Sequence, residues 1–193
     1  VKTDAVFGNA VVLWNETIPR IKAYFSSASG LQIITGFIGS TLLNETTTLG
    51  RGGSDYSASL FGAALDVAEI EIWTDVDGVM TANPAKVKKA FPLEQITYEE
   101  AMELSHFGAK VIYPPTMQPA MQKRIPIRIK NTFNPDFPGT LIADHSAGNR
   151  FLVKGISSIS DIALLRIQGS GMVGVSGIAG RLFAALEIGR AHV

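Results

Sequence analysis

The chain has 193 residues, with 17 Lys and Arg balanced by 17 Asp and Glu, so its net charge offers no electrostatic case for nucleic acid or an anionic membrane as partner. Cysteine is absent, which excludes disulfides and thiolate chemistry, and no apolar run reaches the ~18 residues of a membrane span, so a cytoplasmic protein is expected. Charged residues make up only 18%, below the roughly 25% usual in soluble domains, which points to extensive burial in a two-sided sheet or a homo-oligomer interface.

Taken in order, Thr17 to Phe25 places Ile18, Ile21 and Tyr24 or Phe25 on one helical face. Leu31 to Ile38 is a nearly continuous apolar run, the pattern of a strand covered on both faces. Three glycines lie between positions 50 and 53, and an apolar helix is expected over Tyr56 to Ala68. Ile70 to Thr74 reads as a strand. Thr97 and Glu100 form a capping box that opens a helix running to about His106 and stopping near Gly108. A short helix follows Pro115. Ile125 to Ile129 alternates as a strand, placed at a sheet edge because of Pro126. Leu141 and Ile142 suggest another short strand. A polar linker spans 144–150, and a new unit starts at about Phe151. In that unit Asp161 to Gln168 reads as a strand, Gly169 to Met172 as a tight loop and Ser176 to Leu186 as a helix. This rhythm is that of an α/β domain with a largely parallel sheet, in which ligands sit beyond the C-terminal ends of the strands.

Residues 48 to 55, Thr-Leu-Gly-Arg-Gly-Gly-Ser-Asp, join a strand-like run to a helix. Glycine accepts positive φ, so this chain can curl and bring backbone N–H groups close to an anion. Ser54 and Asp55 are expected to cap the helix, whose positive end favours negative charge. Arg51 adds a planar fork suited to a carboxylate or phosphate. The spacing fits neither a Walker A loop nor a dinucleotide fingerprint. His106, His145 and His192 lack metal-ligand spacing, and no side-chain metal site is expected. Lys86, Lys88 and Lys89 read as a solvated basic face.

The string from Thr46 to Ala58, Thr-Thr-Thr-Leu-Gly-Arg-Gly-Gly-Ser-Asp-Tyr-Ser-Ala, closely resembles the signature of aspartate kinases in the amino-acid kinase family. Gly36 to Ser40, Trp73 to Thr81 and Phe107 to Val111 are similar to further segments of that family, in the same order, across about residues 1 to 187. The resemblance implies a three-layer, carbamate kinase-like α/β fold, present in part over 1–143. The linker 144–150 and the incomplete start of an α+β ACT regulatory domain over 151–187 would follow. The last six residues, 188–193, match a translated sequencing adapter and are expected to be a non-native tail.

The implied reaction is ATP-dependent phosphorylation of the side-chain carboxylate of L-aspartate, with Mg²⁺ held mainly through the ATP phosphates. The aspartyl phosphate so formed leads to lysine, threonine and methionine. Arg51, Gly52, Gly53 and Asp55 would form the catalytic arrangement, with Arg51 on a substrate carboxylate. Ser54 and Thr48 would donate hydrogen bonds, and Phe37 would wall the aspartate pocket. Thr74, Asp75, Gly78, Val79 and Met80 would contact the nucleotide, joined by Lys110 and Val111. Many relatives carry an aromatic residue where Met80 stands and an arginine where Ala85 stands; Lys86 is expected to take over the latter's phosphate contact. The family's Lys-Phe-Gly-Gly-Thr-Ser segment does not occur, so the chain alone is expected to be inactive.

The stretches Glu100 to Ser105 and Val153 to Ser157 are most similar to enzymes that fuse aspartate kinase to homoserine dehydrogenase. Two alternatives stand beside this reading. One is an amino-acid-binding regulatory module with lysine or threonine as effector. The other is a different amino-acid kinase, acting on glutamate or uridylate.

Overall fold

The computed structural model describes residues 1–106, 112–145 and 153–160, with the isolated positions 177, 180 and 184. Two units follow one another along the chain, Val1–Ile159 and Ser160–Val193. The strand, loop and helix expected over 161–186 lie outside the described residues. Among the described residues no helix is long and apolar enough to cross a membrane.

The first unit begins with helix α1 (Trp14–Ser27), the antiparallel pair β1 (Ile38–Ser40) and β2 (Thr46–Thr48), and helix α2 (Gly53–Leu65). Strand β3 (Ile70–Thr74), strand β4 (Gln95–Thr97), helix α3 (Tyr98–His106), helix α4 (Pro114–Lys123), strand β5 (Ile127–Asn131) and strand β6 (Thr140–Ala143) complete it. The last four strands form a sheet in the order β3-β5-β6-β4. Pairs β3/β5 and β4/β6 are parallel, and β5/β6 is antiparallel.

Strand alternation seals one face of this sheet. Ile70 and Ile72 of β3, Ile127 and Ile129 of β5, and Ile96 and Ile142 all enter one core with Tyr98, Met117 and Ala120. The alternate positions carry Glu71, Trp73, Arg128 and Lys130. There Lys130 Nζ lies 4.7 Å from the Trp73 ring, and Arg128 grips Glu69 through two hydrogen bonds of 2.9 Å. A second core joins α1 to α2 through Val12, Ile21, Leu49, Leu60 and Ala64. Small residues let α2 approach the sheet: a Cβ on Gly62 would lie 2.6 Å from Ile70 Cδ1.

Three expectations need correction. The run from Leu31 to Ile38 is strand only from Ile38 onward, and Leu31 and Ile33 are 90% and 92% exposed. A strand buried on both faces needs neighbours to accept its ladder bonds, and none of the described strands lies beside 31–36. Strand β5 is central rather than an edge. Pro126 precedes it by one residue and contributes only its carbonyl, which accepts from Ile70 N–H at 2.9 Å, so the missing proline N–H costs no ladder bond. Helix α2 starts at Gly53, one turn before the expected Tyr56, for reasons set by the turn ahead of it.

The capping box forms as expected. Thr97 N–H donates to Glu100 Oε2 at 2.8 Å, and Glu100 N–H to Thr97 Oγ1 at 3.2 Å. It launches Tyr98, which is 1% exposed and donates its hydroxyl to the Ile125 carbonyl. Burial, with a smaller contribution from the Asp144 charge, pushes the Tyr98 hydroxyl from its usual value of 10.0 up to about 12. The folded chain therefore keeps this proton after the unfolded chain has lost it. Stability present below the ordinary tyrosine value is lost as pH rises through about 12. Denaturant titrations across that range will show this loss. Tyr98→Phe will flatten it, while costing about 1–3 kcal/mol at neutral pH because the Ile125 carbonyl loses its donor.

Candidate functional site

The glycine-rich turn is held between the β1–β2 pair and α2. Ile38 faces Thr48 across the pair, and Leu49 N–H extends it by donating to the Phe37 carbonyl at 3.0 Å. Gly50 then takes φ +72° and Gly52 φ +68°, backbone that costs an L side chain about 1–2 kcal/mol. Space forbids a side chain as firmly as conformation does. A Cβ on Gly50 would lie 2.3 Å from Asn9 Oδ1, one on Gly52 2.9 Å from Tyr113 Cβ, and one on Gly53 2.7 Å from Phe37 Cδ2. Each glycine thus makes room for one neighbour drawn from a different part of the chain.

Gly52 is itself the N-cap of α2, in the left-handed conformation and with no side-chain cap. The expectation that Ser54 and Asp55 cap the helix is therefore corrected: both stand inside its first turn, because the glycine turn ends earlier. Their backbone N–H groups precede any helical carbonyl that could accept from them and point out of the helix end. Ser54 is exposed, and Asp55 is partly buried. Burial raises the Asp55 carboxyl above its usual value.

Phe37 is the strained member of the group. It holds φ 72° without being glycine, fixed by its N–H to Ser57 Oγ at 3.0 Å, while the Ser57 hydroxyl donates to the Gly53 carbonyl at 2.7 Å. Its ring covers Gly53 and remains partly open to solvent. Arg51 is exposed, with its guanidinium 5.9 Å from the centre of the Tyr113 ring. It borders a cleft of about 390 Å³ that Met102, Ser105, Tyr113 and Gln118 also line. Thr48 is half-buried at the end of β2, where its carbonyl accepts from Ala10 N–H at 2.9 Å. The structure therefore unites Phe37, Thr48, Arg51, Gly52, Gly53, Ser54 and Asp55 at one helix end.

A second group lies beyond the C-terminal ends of the parallel strands β3 and β5. The Thr74 hydroxyl donates to Asp75 Oδ1 at 3.2 Å, and Asp77 accepts from Asn131 Nδ2 at 2.8 Å and Asn134 Nδ2 at 3.2 Å. Gly78 has φ +138°, and a Cβ there would meet Thr140 Oγ1 at 2.3 Å. Val79 is 3% exposed. Its N–H donates to Thr140 Oγ1 at 2.8 Å and its carbonyl accepts from Leu93 N–H at 2.8 Å, so it shapes the turn from within. Met80 is half-buried in a bridge to Pro92. Lys86, Lys88 and Lys89 are exposed, and Lys86 Nζ donates to Ser158 Oγ at 3.2 Å. Lys110 and Val111 lie outside the described residues.

Sequence reasoning missed Asn9, Ser57, Tyr113, Asn131, Asn134 and Thr140. Ser57 sat within the signature string itself, and the Asn131-Thr-Phe-Asn134-Pro sequence after a strand carried a turn signal. The other three meet their partners only through distant packing.

The chain belongs to the amino acid kinase family, whose profile matches residues 2–131. A chloroplastic bifunctional aspartokinase/homoserine dehydrogenase from Daucus carota is 44% identical over 180 residues, covering 89% of this chain and 20% of the carrot protein. The chain thus spans about a fifth of the length of the bifunctional relatives it matches. Escherichia coli aspartokinase III in complex with aspartate and ADP (R-state) aligns with a TM-score of 0.70 and 38% identity, over 76% of this chain and 33% of that one. Its complex with lysine and aspartate (T-state) also gives 0.70, at 31% identity, over 96% and 42%.

Two measurements test this geometry. Gly52→Ala will lower stability by about 1–3 kcal/mol, because it meets both the positive φ and Tyr113; thermal melts will report it. Asp55→Asn will raise the melting temperature at neutral pH. The folded state holds the Asp55 proton more tightly than the unfolded one, so stability is lost as pH rises through these values and the ionised carboxylate is a burden. The gain will vanish below about pH 3, where both states are protonated.

Proposed function

We propose that this chain forms the aspartate-binding and part of the nucleotide-binding portion of an ATP-dependent kinase acting on the side-chain carboxylate of L-aspartate. The observation that carries the reading is the placement of Arg51 between two left-handed glycines at the N-terminus of α2. One anion-seeking fork and the first-turn amides of a helix there face the same end of the molecule. The aspartate and ADP bound by the E. coli relative support the same assignment.

In this reading Arg51 takes a carboxylate of the substrate, assisted by Ser54 and Thr48, with Phe37 as one wall. A second carboxylate oxygen attacks the γ-phosphorus of ATP. The bond from that phosphorus to the β–γ bridging oxygen breaks, giving aspartyl phosphate and ADP. The carboxylate is already ionised, so no general base is required. Positioning and charge stabilisation supply the rate. Gly52 and Gly53 let the backbone approach the transferred group, and Asp55 orients the reacting ends from the first turn.

The nucleotide lies along Thr74, Asp75, Gly78 and Met80, with Val79 holding their turn from the core and Lys86, Lys110 and Val111 completing the contacts. Asp77, held by two asparagine amides, fixes the shape of the same turn. Mg²⁺ carried on the phosphates supplies charge neutralisation when bound. The start of an ACT regulatory unit falls in the second unit of the chain, from Ser160, with residues 144–159 leading to it and lysine or threonine as effector. Lysine bound to the E. coli relative favours the former. The full protein would be a cytoplasmic homo-oligomer, with a homoserine dehydrogenase region as in the carrot relative.

Ligand-observed NMR titrations with L-aspartate and L-glutamate test the substrate assignment. Aspartate will bind and glutamate will not compete. Arg51→Lys will weaken aspartate by roughly tenfold to a hundredfold, because the bidentate fork is lost while the charge remains. Equal binding of glutamate, or an unchanged affinity in Arg51→Lys, would overturn the assignment.

A further inference from the structure

Residues 153–158 follow the described domain body and run back across it. Ile156 N–H donates to the Thr81 carbonyl at 2.8 Å. Lys154 Nζ meets Glu100 Oε2 at 2.7 Å, with the lysine side chain only 16% exposed. Lys86 Nζ reaches Ser158 Oγ at 3.2 Å. A Cβ on Gly155 would lie 3.3 Å from both Leu104 Cδ2 and the Thr81 carbonyl oxygen, so the segment lies flat against α3 and the turn after Met80.

Thr81 is the centre of these contacts. Its N–H donates to the Phe91 carbonyl at 2.9 Å, its hydroxyl oxygen accepts from Phe91 N–H at 3.2 Å, and its carbonyl takes Ile156. The loop from Thr81 to Phe91 is therefore pinned at its base from two sides, and the strap supplies one of them. Glu100 Oε2 serves two purposes. It accepts from Thr97 N–H in the capping box and from Lys154, which ties the strap to the start of α3. Burial pushes the Glu100 carboxyl up, but the hydrogen bonds from Lys154 and Thr97 and the Lys154 charge together outweigh it and hold the carboxyl below its usual range.

We propose that residues 153–158 are a strap that positions the Met80–Lys86 turn for nucleotide, with Lys154 and Glu100 as its positioning residues. Neither residue needs to touch the nucleotide. The strap ends just before the second unit begins at Ser160. The inference rests on the assignment of Thr74 to Lys86 to nucleotide binding.

Lys154→Met removes the charge and keeps the stem. Lys154→Arg keeps the charge, and Glu100→Gln keeps the cap acceptor while losing the pair. Hydrogen exchange of the amides of Thr81, Phe91 and Ile156 and titration with MgADP are measured on each, alongside aspartate binding and melting temperature. The expected result is faster exchange at these amides and roughly threefold to tenfold weaker MgADP binding in Lys154→Met and Glu100→Gln. Aspartate affinity should be unchanged, and Lys154→Arg should match the native chain. Unchanged exchange at Thr81 and Phe91 would overturn the strap. Equal losses of MgADP and aspartate binding would overturn a positioning role in favour of a general structural one. Failure of the native chain to bind MgADP would overturn the nucleotide assignment and the positioning role together, while exchange still reports whether the strap holds the turn.

Discussion

The candidate site depends on three places where a β-carbon cannot exist. Gly50, Gly52 and Gly53 each sit where a side chain would strike Asn9, Tyr113 or Phe37 within 3 Å, and two of them hold positive φ. These contacts draw the N-terminal loop, the start of α4 and the strained end of β1 onto one helix terminus. A tight turn alone would need conformational freedom at one glycine. Close packing from three directions explains why all three are glycine, and why Arg51, the only side chain among positions 50 to 53, is forced outward. The anion-binding character of the helix end follows from this exclusion rather than from any side chain that caps it.

The second group depends on a different device, the parallel pairing of β3 with β5. Parallel strands end at the same side of a sheet, so the residues after Thr74 and after Asn131 are neighbours without being close in sequence. Asp77 joins them by accepting from two asparagines. Thr140 then fixes the turn from the next strand. Its hydroxyl accepts from Val79 N–H at 2.8 Å and donates to the Leu93 carbonyl at 2.6 Å, leaving no room for a side chain on Gly78. One buried threonine thereby satisfies two backbone groups that the turn would otherwise strand in the core.

What could be read from the sequence was local. The capping box at Thr97 and Glu100, the alternating strand Ile70–Thr74 and the glycine turn are each specified within a few residues, and each formed. The failures were failures of context. The stretch from Leu31 to Gly36 has the apolar composition of a buried strand, but a strand exists only with a partner, and composition names none. Pro126 argued for an edge until the strand began one residue later, which removed the conflict with a central position. Ser54 and Asp55 are good cap residues, but the left-handed Gly52 preceded them. The site residues that were missed, Asn9, Tyr113, Asn131, Asn134 and Thr140, act across separations that no periodicity records.

Three costs fall where chemistry is proposed. Phe37 holds a left-handed backbone without being glycine, Asp55 carries a carboxyl that burial disfavours in its charged form, and Arg51 stands exposed beside an aromatic ring. All three fall between positions 37 and 55, whereas the sheet core built on Ile70, Ile96, Ile127 and Ile142 is regular and well buried. Ser57 links the strained and the regular parts. It takes the Phe37 amide and returns its own proton to the first turn of α2, so the strain at Phe37 is held by a helix whose other face packs into both cores. A site that must present open amides, an exposed guanidinium and a partly buried carboxylate cannot be locally stable by the same contacts that make a core stable. It persists because the helix carrying it is fixed from behind.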